Sequence, residues 1–536
     1  MHMIRHHHEG MQLVVSEFGG IEANGLNHHL GQRWLTKVKG AGLGLIQKPI
    51  HSSECLAGAG RAVREGPVWR QTSVKTPCEE NGLAGFVDVR KMAAIKAHDR
   101  IVGVGEQILG KKPAGGPAAD QGVRPTNASL MKILVLNCGS SSLKFQLIET
   151  SPDQIAANQD KQLAAGAIAK IGSADSTIDF QAGDAKTKDK YAVPTFKDAI
   201  AEAFKLLEGS GAAKLDDVEG VGHRVVHGGE HFTESAIMDD DTVRRIVAAS
   251  ELAPLHNPHN LKGYYAAKAL LPKATHVAVF DTAFHQTMPP DAYIYAIPYL
   301  YYTRDKIRRY GFHGTSHRYV SYRFAYLHTA TRAHYKLITC HLGNGCSVCA
   351  IRYGKSIDTS MGLTPVEGLI MGTRSGDLDP GAVMYMAGRE EMGLHEVDVT
   401  LNKYSGLYGI SGTSNDMRDL LDEAGKGNAR AQLAVDAFCY RVKKYIGAYF
   451  AALDGADAVI FTGGIGENAA PVREKVCQSL GSLGIRVDAA KNQAAIGVER
   501  EIGEDAAPTK VWVIPTNEEL LIARDTLRVI LKIPHP

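Results

Sequence analysis

The 536-residue sequence lacks the features typical of membrane, secreted and nucleic-acid-binding proteins. No apolar run approaches the roughly 18 residues that span a bilayer, and no secretory signal is recognisable. The 60 basic and 58 acidic residues leave a formal net charge of +2, which gives no electrostatic attraction for nucleic acid or a membrane surface. Eight cysteines without dense spacing indicate reduced thiols, and we therefore expect a cytoplasmic protein.

Three ligand-binding signatures are also missing or incomplete. The sequence contains no GxxxxGK[ST] run, which disfavours a P-loop fold. Cys346 and Cys349 form a CxxC without a second pair at metal-ligand spacing, and in a strand they would point to opposite faces. His313 and His317 have the four-residue spacing of a zinc pair, but Gly314 between them and the lack of an adjacent Glu argue against one. We expect instead that a histidine of this pair lies in a loop and donates a hydrogen bond to a charged oxygen.

Residues 1–130 differ from the rest in composition. They hold 19 of the 56 glycines and sustain no amphipathic period. We predict a poorly ordered N-terminal extension at 1–130, followed by a compact enzyme at 131–536. The alternatives are a targeting peptide, upstream sequence wrongly included in the chain, and a separate binding module. Eight histidines and scattered acidic residues fit a transit peptide poorly, and weak periodicity argues against a module.

Two similar patterns of strand, glycine turn and strand are present. Residues 137–144 (NCGSSSLK) lie between the apolar runs Ile133–Leu136 and Phe145–Ile148. Residues 341–345 (HLGNG) lead from one apolar run into another, Cys346–Ile351, and Asn-Gly is a strong hairpin signal. A third glycine turn, at 462–468, follows the strand-like 458–461 and precedes a predicted helix, Pro471–Leu480. The repetition predicts an internally duplicated nucleotide-binding fold.

Strand and helix patterns alternate throughout 131–536, which predicts an α/β class. His276–Phe280 is predicted as a buried strand that ends in Asp281. The predicted helices are Phe196–Leu207, Asp241–Ser250, Ala429–Leu453 and Glu518–Leu531.

Charged side chains stand next to glycines or at strand ends. Arg224 lies in GHRVVHGG and Arg374 in MGTRSGDLDP, and two such arginines suit a carboxylate or a phosphoryl group. Asp281 follows a strand, where open α/β sheets place ligands. Alone, each arginine is equally consistent with a surface ion pair, and Asp281 with a helix cap.

Together these motifs resemble the acetate kinase family. The resemblance runs from Met131 to about residue 533 through NCGSSSLK, GHRVVHGG, APLHNP, FDTAFHQTMP, RYGFHGTSH, HLGNG, MGTRSGDLDP, GGIGEN and IPTNEEL, in the family's order. It implies a duplicated actin-like, ribonuclease H-like kinase with mixed sheets. The implied domains are 131–282, completed by a C-terminal helix at 517–536, and a nucleotide-binding domain at 283–516. It also implies a homodimer.

The resemblance assigns site residues one by one. Catalytic roles fall on Arg224, Asp281, His313 and Arg374, with Arg224 also binding the substrate carboxylate. The walls of the pocket for the methyl group would be Val226, Leu255, Phe312 and Pro365. ATP or ADP would contact Ser140, Ser142, Lys144, His341, Leu342, Gly343, Asn344, Gly345, Asp416, Met417, Arg418, Gly464, Ile465, Gly466, Glu467 and Asn468. Asn137 and Glu518 would hold Mg²⁺, or Mn²⁺ in its place, partly through water.

The implied reaction is reversible phosphoryl transfer from ATP to acetate. A carboxylic acid with a pKa of about 4 is already ionised at pH 7 and needs no general base. We therefore expect Asp281 mainly to orient an arginine or a metal-bound water, with proton transfer as the competing role. Propionate or butyrate kinase activity is the alternative within the family, because one added CH₂ changes the free energy of burying the substrate by only ~0.8 kcal/mol. A non-catalytic nucleotide-binding regulator would be expected to have lost a charged site residue. Cys346 stands where the family pattern has another small residue, and we expect a slight effect.

Overall fold

The computed structural model describes residues 130–535. The prediction made for residues 1–130 therefore lies outside the described part of the chain, apart from Leu130. Within residues 130–535, none of the helices is both long enough and apolar enough to cross a bilayer.

Eight strands form a mixed sheet in the first half of the described chain, in the order β5-β4-β3-β2-β1-β6-β8-β7. The strands are Met131–Cys138 (β1), Ser142–Thr150 (β2), Lys161–Ala169 (β3), Thr177–Ala182 (β4), Ala185–Lys190 (β5), Val218–Val225 (β6), Ala236–Ile237 (β7) and Thr275–Phe280 (β8). Strands β1, β6 and β8 run parallel, so their carboxyl ends share one edge of the sheet.

Six strands form a second mixed sheet, in the order β11-β10-β9-β12-β14-β13. They are Lys336–Leu342 (β9), Cys346–Arg352 (β10), Lys355–Thr359 (β11), Ala458–Thr462 (β12), Arg500–Glu501 (β13) and Lys510–Val513 (β14). Strands β9, β12 and β14 are parallel.

The two sheets repeat the same five-strand core. In the first, β3-β2-β1 form an antiparallel meander, and β6 and β8 continue it in parallel beyond β1. In the second, β11-β10-β9 form the meander, and β12 and β14 continue it in parallel beyond β9. The predicted duplication is confirmed, and both glycine turns, after β1 and after β9, are hairpin turns at equivalent places.

Sixteen α-helices accompany the sheets in residues 130–535. They are Pro152–Ala157 (α1), Phe196–Gly209 (α2), Asp240–Ala248 (α3), Asn257–Leu270 (α4), Pro290–Tyr293 (α5), Leu300–Asp305 (α6), Gly314–Leu327 (α7), Pro380–Arg389 (α8), Leu394–Lys403 (α9), Gly406–Ser411 (α10), Met417–Gly425 (α11), Ala429–Leu453 (α12), Gly463–Asn468 (α13), Ala470–Cys477 (α14), Ala489–Gln493 (α15) and Glu518–Leu531 (α16). The five helices and the buried strand predicted from the sequence are confirmed, with boundaries that agree within about three residues.

One local expectation is wrong: the glycine turn at 462–468 contains a short helix, α13, directly after β12. Glycines are poor helix formers, so propensity favours a turn. A tertiary cap overrides it, because Glu467 Oε1 accepts hydrogen bonds from the backbone N–H groups of Gly463 (2.8 Å) and Thr516 (3.1 Å).

The last helix, α16, packs on the first sheet although it follows the second in sequence. Its Ile522 and Leu527 share one buried cluster with Ile133 and Val135 of β1. Fully burying an aliphatic side chain of this size contributes roughly 1.5–3 kcal/mol, so this contact holds the C-terminal segment firmly. It thereby fixes the start of α16 relative to the carboxyl ends of β1, β6 and β8.

Candidate functional site

The carboxyl edge of the first sheet brings three predicted site residues together. Asn137 lies at the end of β1, Arg224 at the end of β6, and Asp281 directly after β8. Arg224 Nη1 lies 3.4 Å from Asn137 Oδ1. Since parallel strands end at the same edge, the sheet itself accounts for their proximity.

Arg224 and Asp281 form a bidentate ion pair. Arg224 Nε lies 2.9 Å from Asp281 Oδ1, and Nη2 lies 2.6 Å from Oδ2. Burial alone would lower the pKa of Arg224, but the charges of Asp281 and Glu518 outweigh it and raise that pKa. Burial pushes the pKa of Asp281 upward, while the Arg224 charge opposes the shift. These two parallel hydrogen bonds fix the orientation of the Arg224 guanidinium plane.

Glu518 reaches the same edge from α16. Asn517 caps this helix by accepting from the Leu520 N–H at 2.9 Å, which places Glu518 in its first turn. Thr315 Oγ1 donates to Glu518 Oε2 at 2.7 Å. Burial raises the pKa of Glu518, but Arg224 and His341 outweigh it, so the net shift is downward and favours the carboxylate.

His313 is held in a strained position beside Asp281. It precedes α7 with φ 57°, in the left-handed region that non-glycine residues seldom adopt. The next N–H, of Gly314, donates to the Asp281 carbonyl at 2.9 Å. A Cβ at position 314 would lie 2.2 Å from that carbonyl oxygen, so only glycine permits this crossing.

The HLGNG turn between β9 and β10 lies against His313. The rings of His313 and His341 stack with centroids 4.2 Å apart. A Cβ on Gly345 would lie 3.4 Å from His313 Nε2 and 3.5 Å from Arg374 Nη1. Histidine, arginine and glycine backbone therefore converge on one small region, where the missing side chain leaves room for a ligand.

Arg374 lies in the loop between β11 and α8 and differs from Arg224 in its neighbours. Its Nη1 contacts Met371 Sδ at 3.8 Å, and no carboxylate of residues 130–535 lies within ion-pair distance. Burial lowers the pKa of Arg374, with Cys346 acting in the opposite direction. A guanidinium of this kind stays charged at pH 7 and has a strong preference for an anionic partner.

Burial also decides the state of the site histidines. Burial, followed by the charges of His341 and the arginines, lowers the pKa of His313 well below its usual value. Burial likewise lowers the pKa of His341, whose Nδ1 lies 2.7 Å from Ser316 Oγ. Both rings are therefore neutral at pH 7 in this structure.

The residues assigned to the nucleotide lie around the same turn. Asn415 Nδ2 donates to Asn344 Oδ1 at 3.1 Å, which ties the start of α11 to the HLGNG turn. A Cβ on Gly343 would come within 3.9 Å of the Gly464 nitrogen. Gly464 and Asn468 of α13 and Arg418 of α11 are exposed, as a nucleotide surface requires, whereas Ile465 is half-buried and Met417, Leu342 and Gly466 are buried.

Two of the polar residues that the resemblance assigned to the nucleotide form hydrogen bonds with the backbone of this chain instead. Asp416 caps α11 and accepts from the Arg418 N–H at 2.9 Å. Glu467 accepts the backbone bonds that hold α13. Both therefore shape the surface that Gly464 and its neighbours present.

The glycine-serine turn after β1 carries Ser140 and Lys144 on its exposed side, with Ser142 half-buried. Asn137 and Lys144 are directly opposite in the β1–β2 hairpin. The lysine therefore lies near the edge that holds Arg224 and Asp281, which is consistent with its electrostatic effect on Glu518.

The predicted apolar pocket is only partly assembled by contacts in this structure. Phe312 is buried in the main cluster of the second sheet, and Val226 packs against that cluster. Pro365 is half-buried, and Leu255 is 56% exposed in the turn before α4. Two of the four residues thus share a cluster, and of the other two only Leu255 is exposed.

Sequence reasoning missed several polar residues that support the site. Asn260 is buried, accepts from the Val226 N–H at 3.1 Å and donates to the Cys138 carbonyl at 2.8 Å. Ser347 contacts both His313 and His317. A polar residue inside an apolar strand, such as Ser347 in β10, was the available signal.

Comparison with known proteins places this geometry in a family. The model of the Acetokinase family matches residues 132–524. The chain belongs to the acetokinase family. The recognition made from the motifs is thereby confirmed.

Curated and solved relatives in the acetokinase family agree with this assignment. An acetate kinase of Chloroherpeton thalassium is 50% identical over 416 residues, covering 75% of this chain and 100% of the relative. One of Natranaerobius thermophilus is 52% identical, covering 74% and 98%. The crystal structure of Porphyromonas gingivalis acetate kinase matches with a TM-score of 0.70 at 42% identity, covering 75% and 100%. These matches confirm the expected actin-like two-domain kinase fold.

Proposed function

We propose that this chain transfers a phosphoryl group reversibly from ATP to acetate, giving acetyl phosphate and ADP. The main support is the convergence of His313 Nε2 and Arg374 Nη1 on Gly345, in a chain about 50% identical to curated acetate kinases. Both reactants are anions, and phosphoryl transfer depends on alignment and charge stabilisation more than on covalent help. Arg374, His313 and Arg224 supply donors for that purpose.

Arg224 is the proposed ligand of the acetate carboxylate, and Asp281 positions it. The two parallel bonds from Arg224 to Asp281 leave Nη1 as the donor aimed away from the carboxylate pair, toward Asn137. Acetate is ionised at pH 7, so no base is needed. The bidentate pair supports orientation rather than proton transfer as the role of Asp281.

Mg²⁺, with Mn²⁺ as an alternative, is the proposed metal. Glu518 and Asn137 would hold it, since their side-chain oxygens suit a hard cation. Mg²⁺ is commonly held by one or two carboxylates together with waters and substrate phosphates, which fits this sparse donor set. When bound, the ion neutralises charge on the nucleotide phosphates. Residues 130–535 contain no cluster of three or more acidic, His or Cys side chains suited to a metal, and the nucleotide phosphates and water would supply the remaining ligands.

ATP or ADP is proposed to lie along the second sheet. Its phosphates would contact the HLGNG turn, Ser140, Ser142 and Lys144, and its adenosine part the starts of α11 and α13. The contact of Asn415 with Asn344 and the approach of Gly343 to Gly464 support one continuous surface.

The test is steady-state transfer from Mg-ATP to acetate, propionate and butyrate, assayed side by side with the full-length chain. A higher kcat/KM for acetate supports the proposal. A preference for propionate would favour the second candidate, because a propionate kinase of Francisella tularensis matches this structure with a TM-score of 0.69 at 42% identity. Inactivity with all three acids would contradict both, and nucleotide binding without transfer would point to a regulator.

A homodimer is part of the proposal. Helices α8 and α9 contain no buried residue, and Met384, Tyr385 and Leu394 are 71%, 74% and 92% exposed. An apolar face of this kind on a folded chain typically marks an interface. Sedimentation of the full chain should give a dimer, and the double variant Tyr385→Glu, Leu394→Glu should shift it toward monomer.

The proposed domains are 131–282 with 517–536, and 283–516. The contact of α16 with β1 and the repeated five-strand cores support this division. The proposed location is the cytoplasm, supported by the six described cysteines, which are all buried free thiols.

A further inference from the structure

A chain of hydrogen bonds runs from the second sheet to His313. Thr339 Oγ1 lies 2.7 Å from His317 Nδ1, and His317 Nε2 lies 2.7 Å from Ser347 Oγ. Ser347 Oγ also lies 2.9 Å from His313 Nδ1. Thr339, His317 and Ser347 are all fully buried. We call these three residues the buried relay.

The chemistry of the relay restricts its protons. A serine hydroxyl has one proton, so Ser347 can donate to only one of the two histidines and must accept from the other. A neutral imidazole carries one N–H, so the direction of each bond fixes the direction of the next. The chain therefore has two polarities, and each gives His313 a different tautomer.

In the first polarity Thr339 donates to His317 Nδ1, His317 Nε2–H donates to Ser347, and Ser347 donates to His313 Nδ1. The proton of His313 is then on Nε2. In the second polarity all three bonds reverse, and His313 Nε2 carries a lone pair. No residue of 130–535 hydrogen-bonds His313 Nε2, so this free end is open to a ligand, and an anion bound beside Gly345 would select the first polarity.

The geometry points to the buried relay as the element that locks His313 in the Nε2–H tautomer, so that a neutral histidine donates to the anionic phosphoryl group. This inference rests on the proposed function and extends it to the positioning residues Ser347 and His317. A lone pair at Nε2 would repel that anion, whereas a fixed donor there stabilises charge without reorganisation.

Burial makes the relay necessary. It lowers the pKa of both His313 and His317 well below the usual value, so neither ring carries a second proton at pH 7. A protonated His313 could donate from both nitrogens in either polarity. For a neutral ring the tautomer alone determines whether Nε2 donates.

A matched pair of variants tests the direction of the relay. In His317→Gln the amide can still donate to Ser347. In His317→Glu, assayed at a pH high enough to ionise the buried carboxyl, the carboxylate can only accept, which forces Ser347 to donate to it and accept from His313 Nδ1. We expect His317→Glu to lower kcat for phosphoryl transfer by about 100-fold, and His317→Gln by less than about fivefold, because one misplaced donor costs about 10²–10³. The KM for ATP should change little in either.

The ¹⁵N chemical shifts of His313 give a readout that does not depend on activity. In the full chain labelled at histidine, with His313→Gln to identify the signal, the wild type and His317→Gln should carry the proton on Nε2. His317→Glu should carry it on Nδ1, and Ser347→Ala should give a mixture. Thermal melts of each variant exclude misfolding as the cause.

Two results would overturn the inference. One is a wild-type His313 protonated on Nδ1 alone, and the other is equal kcat in folded His317→Gln and His317→Glu proteins. Lack of kinase activity in the wild type would contradict the proposed function instead, and the ¹⁵N measurement would still decide the tautomer.

Discussion

The two walls of the candidate site include equivalent hairpins, β1–β2 and β9–β10, but are chemically different. The first wall, at the edge of the first sheet, consists of Asn137, Arg224, Asp281 and Glu518, and its arginine is already paired with a carboxylate. The second wall consists of His313, His341, the HLGNG turn and Arg374, and its arginine has no described carboxylate partner. One duplicated fold thus presents oxygen ligands suited to a cation on one side and donors suited to an anion on the other.

Among variants of the two walls, the largest loss of activity is expected for Arg374. Arg374→Ala removes the unpaired guanidinium, and we expect kcat/KM to fall by about 10³. A charged donor beside the charge that develops in the transition state should stabilise it at least as much as one neutral donor of an oxyanion hole. Steady-state kinetics measure it. Arg244→Ala, on the surface of α3, is the matched control and should stay within twofold. A similar loss in both variants would contradict a special role for the second wall.

A smaller loss is expected when the pairing on the first wall is broken. Asp281→Asn keeps the shape but removes the charge that orients Arg224, so kcat should fall by about 100-fold while the KM for acetate rises. Kinetics and acetate titration check this. If nearly all activity disappeared while Mg²⁺ and acetate affinities were unchanged, the positioning account would be wrong and proton transfer by Asp281 would be favoured.

The proposed metal side of the first wall predicts a still smaller effect. Glu518→Gln should raise the Mg²⁺ concentration for half-maximal activity about tenfold and change kcat much less, because one ligand is weakened and the phosphates remain. The neighbouring Glu519→Gln is the control. Equal Mg²⁺ dependence in the two variants would remove Glu518 from the proposed metal shell.

The sequence predicted the framework of both walls better than their internal support. A predicted strand end located Asp281, glycine-flanked motifs and the family resemblance located Arg224 and Asn137, and repeated glycine turns predicted the duplication. The contact of Ser347 with His317 joins residues 30 positions apart and depends on how α7 packs on β9 and β10. Periodicity carries no information on that packing, nor on the cap by Glu467 that turns a glycine run into α13.

The last comparison concerns the buried histidines near the second wall. Burial lowers the pKa of His285 to about 4, opposed by its hydrogen bond to the Phe312 carbonyl at 3.0 Å. Below pH 6.5 the unfolded chain binds a proton that the folded state refuses, so stability is fully present above that pH and is lost as pH falls toward 4. Each such histidine should cost about 1 kcal/mol of unfolding free energy between pH 7 and pH 5.5.

Urea denaturation of the wild type, His285→Gln and His334→Gln at pH 7 and pH 5.5 measures this effect. The loss on acidification should be about 1 kcal/mol smaller in His285→Gln, whatever its stability at pH 7. His334 is exposed, and its variant should lose as much as the wild type. Equal losses in all three proteins would mean that His285 is protonated in the folded state. At pH 5.5 the positive charge near the second wall would then come partly from histidine and not only from Arg374.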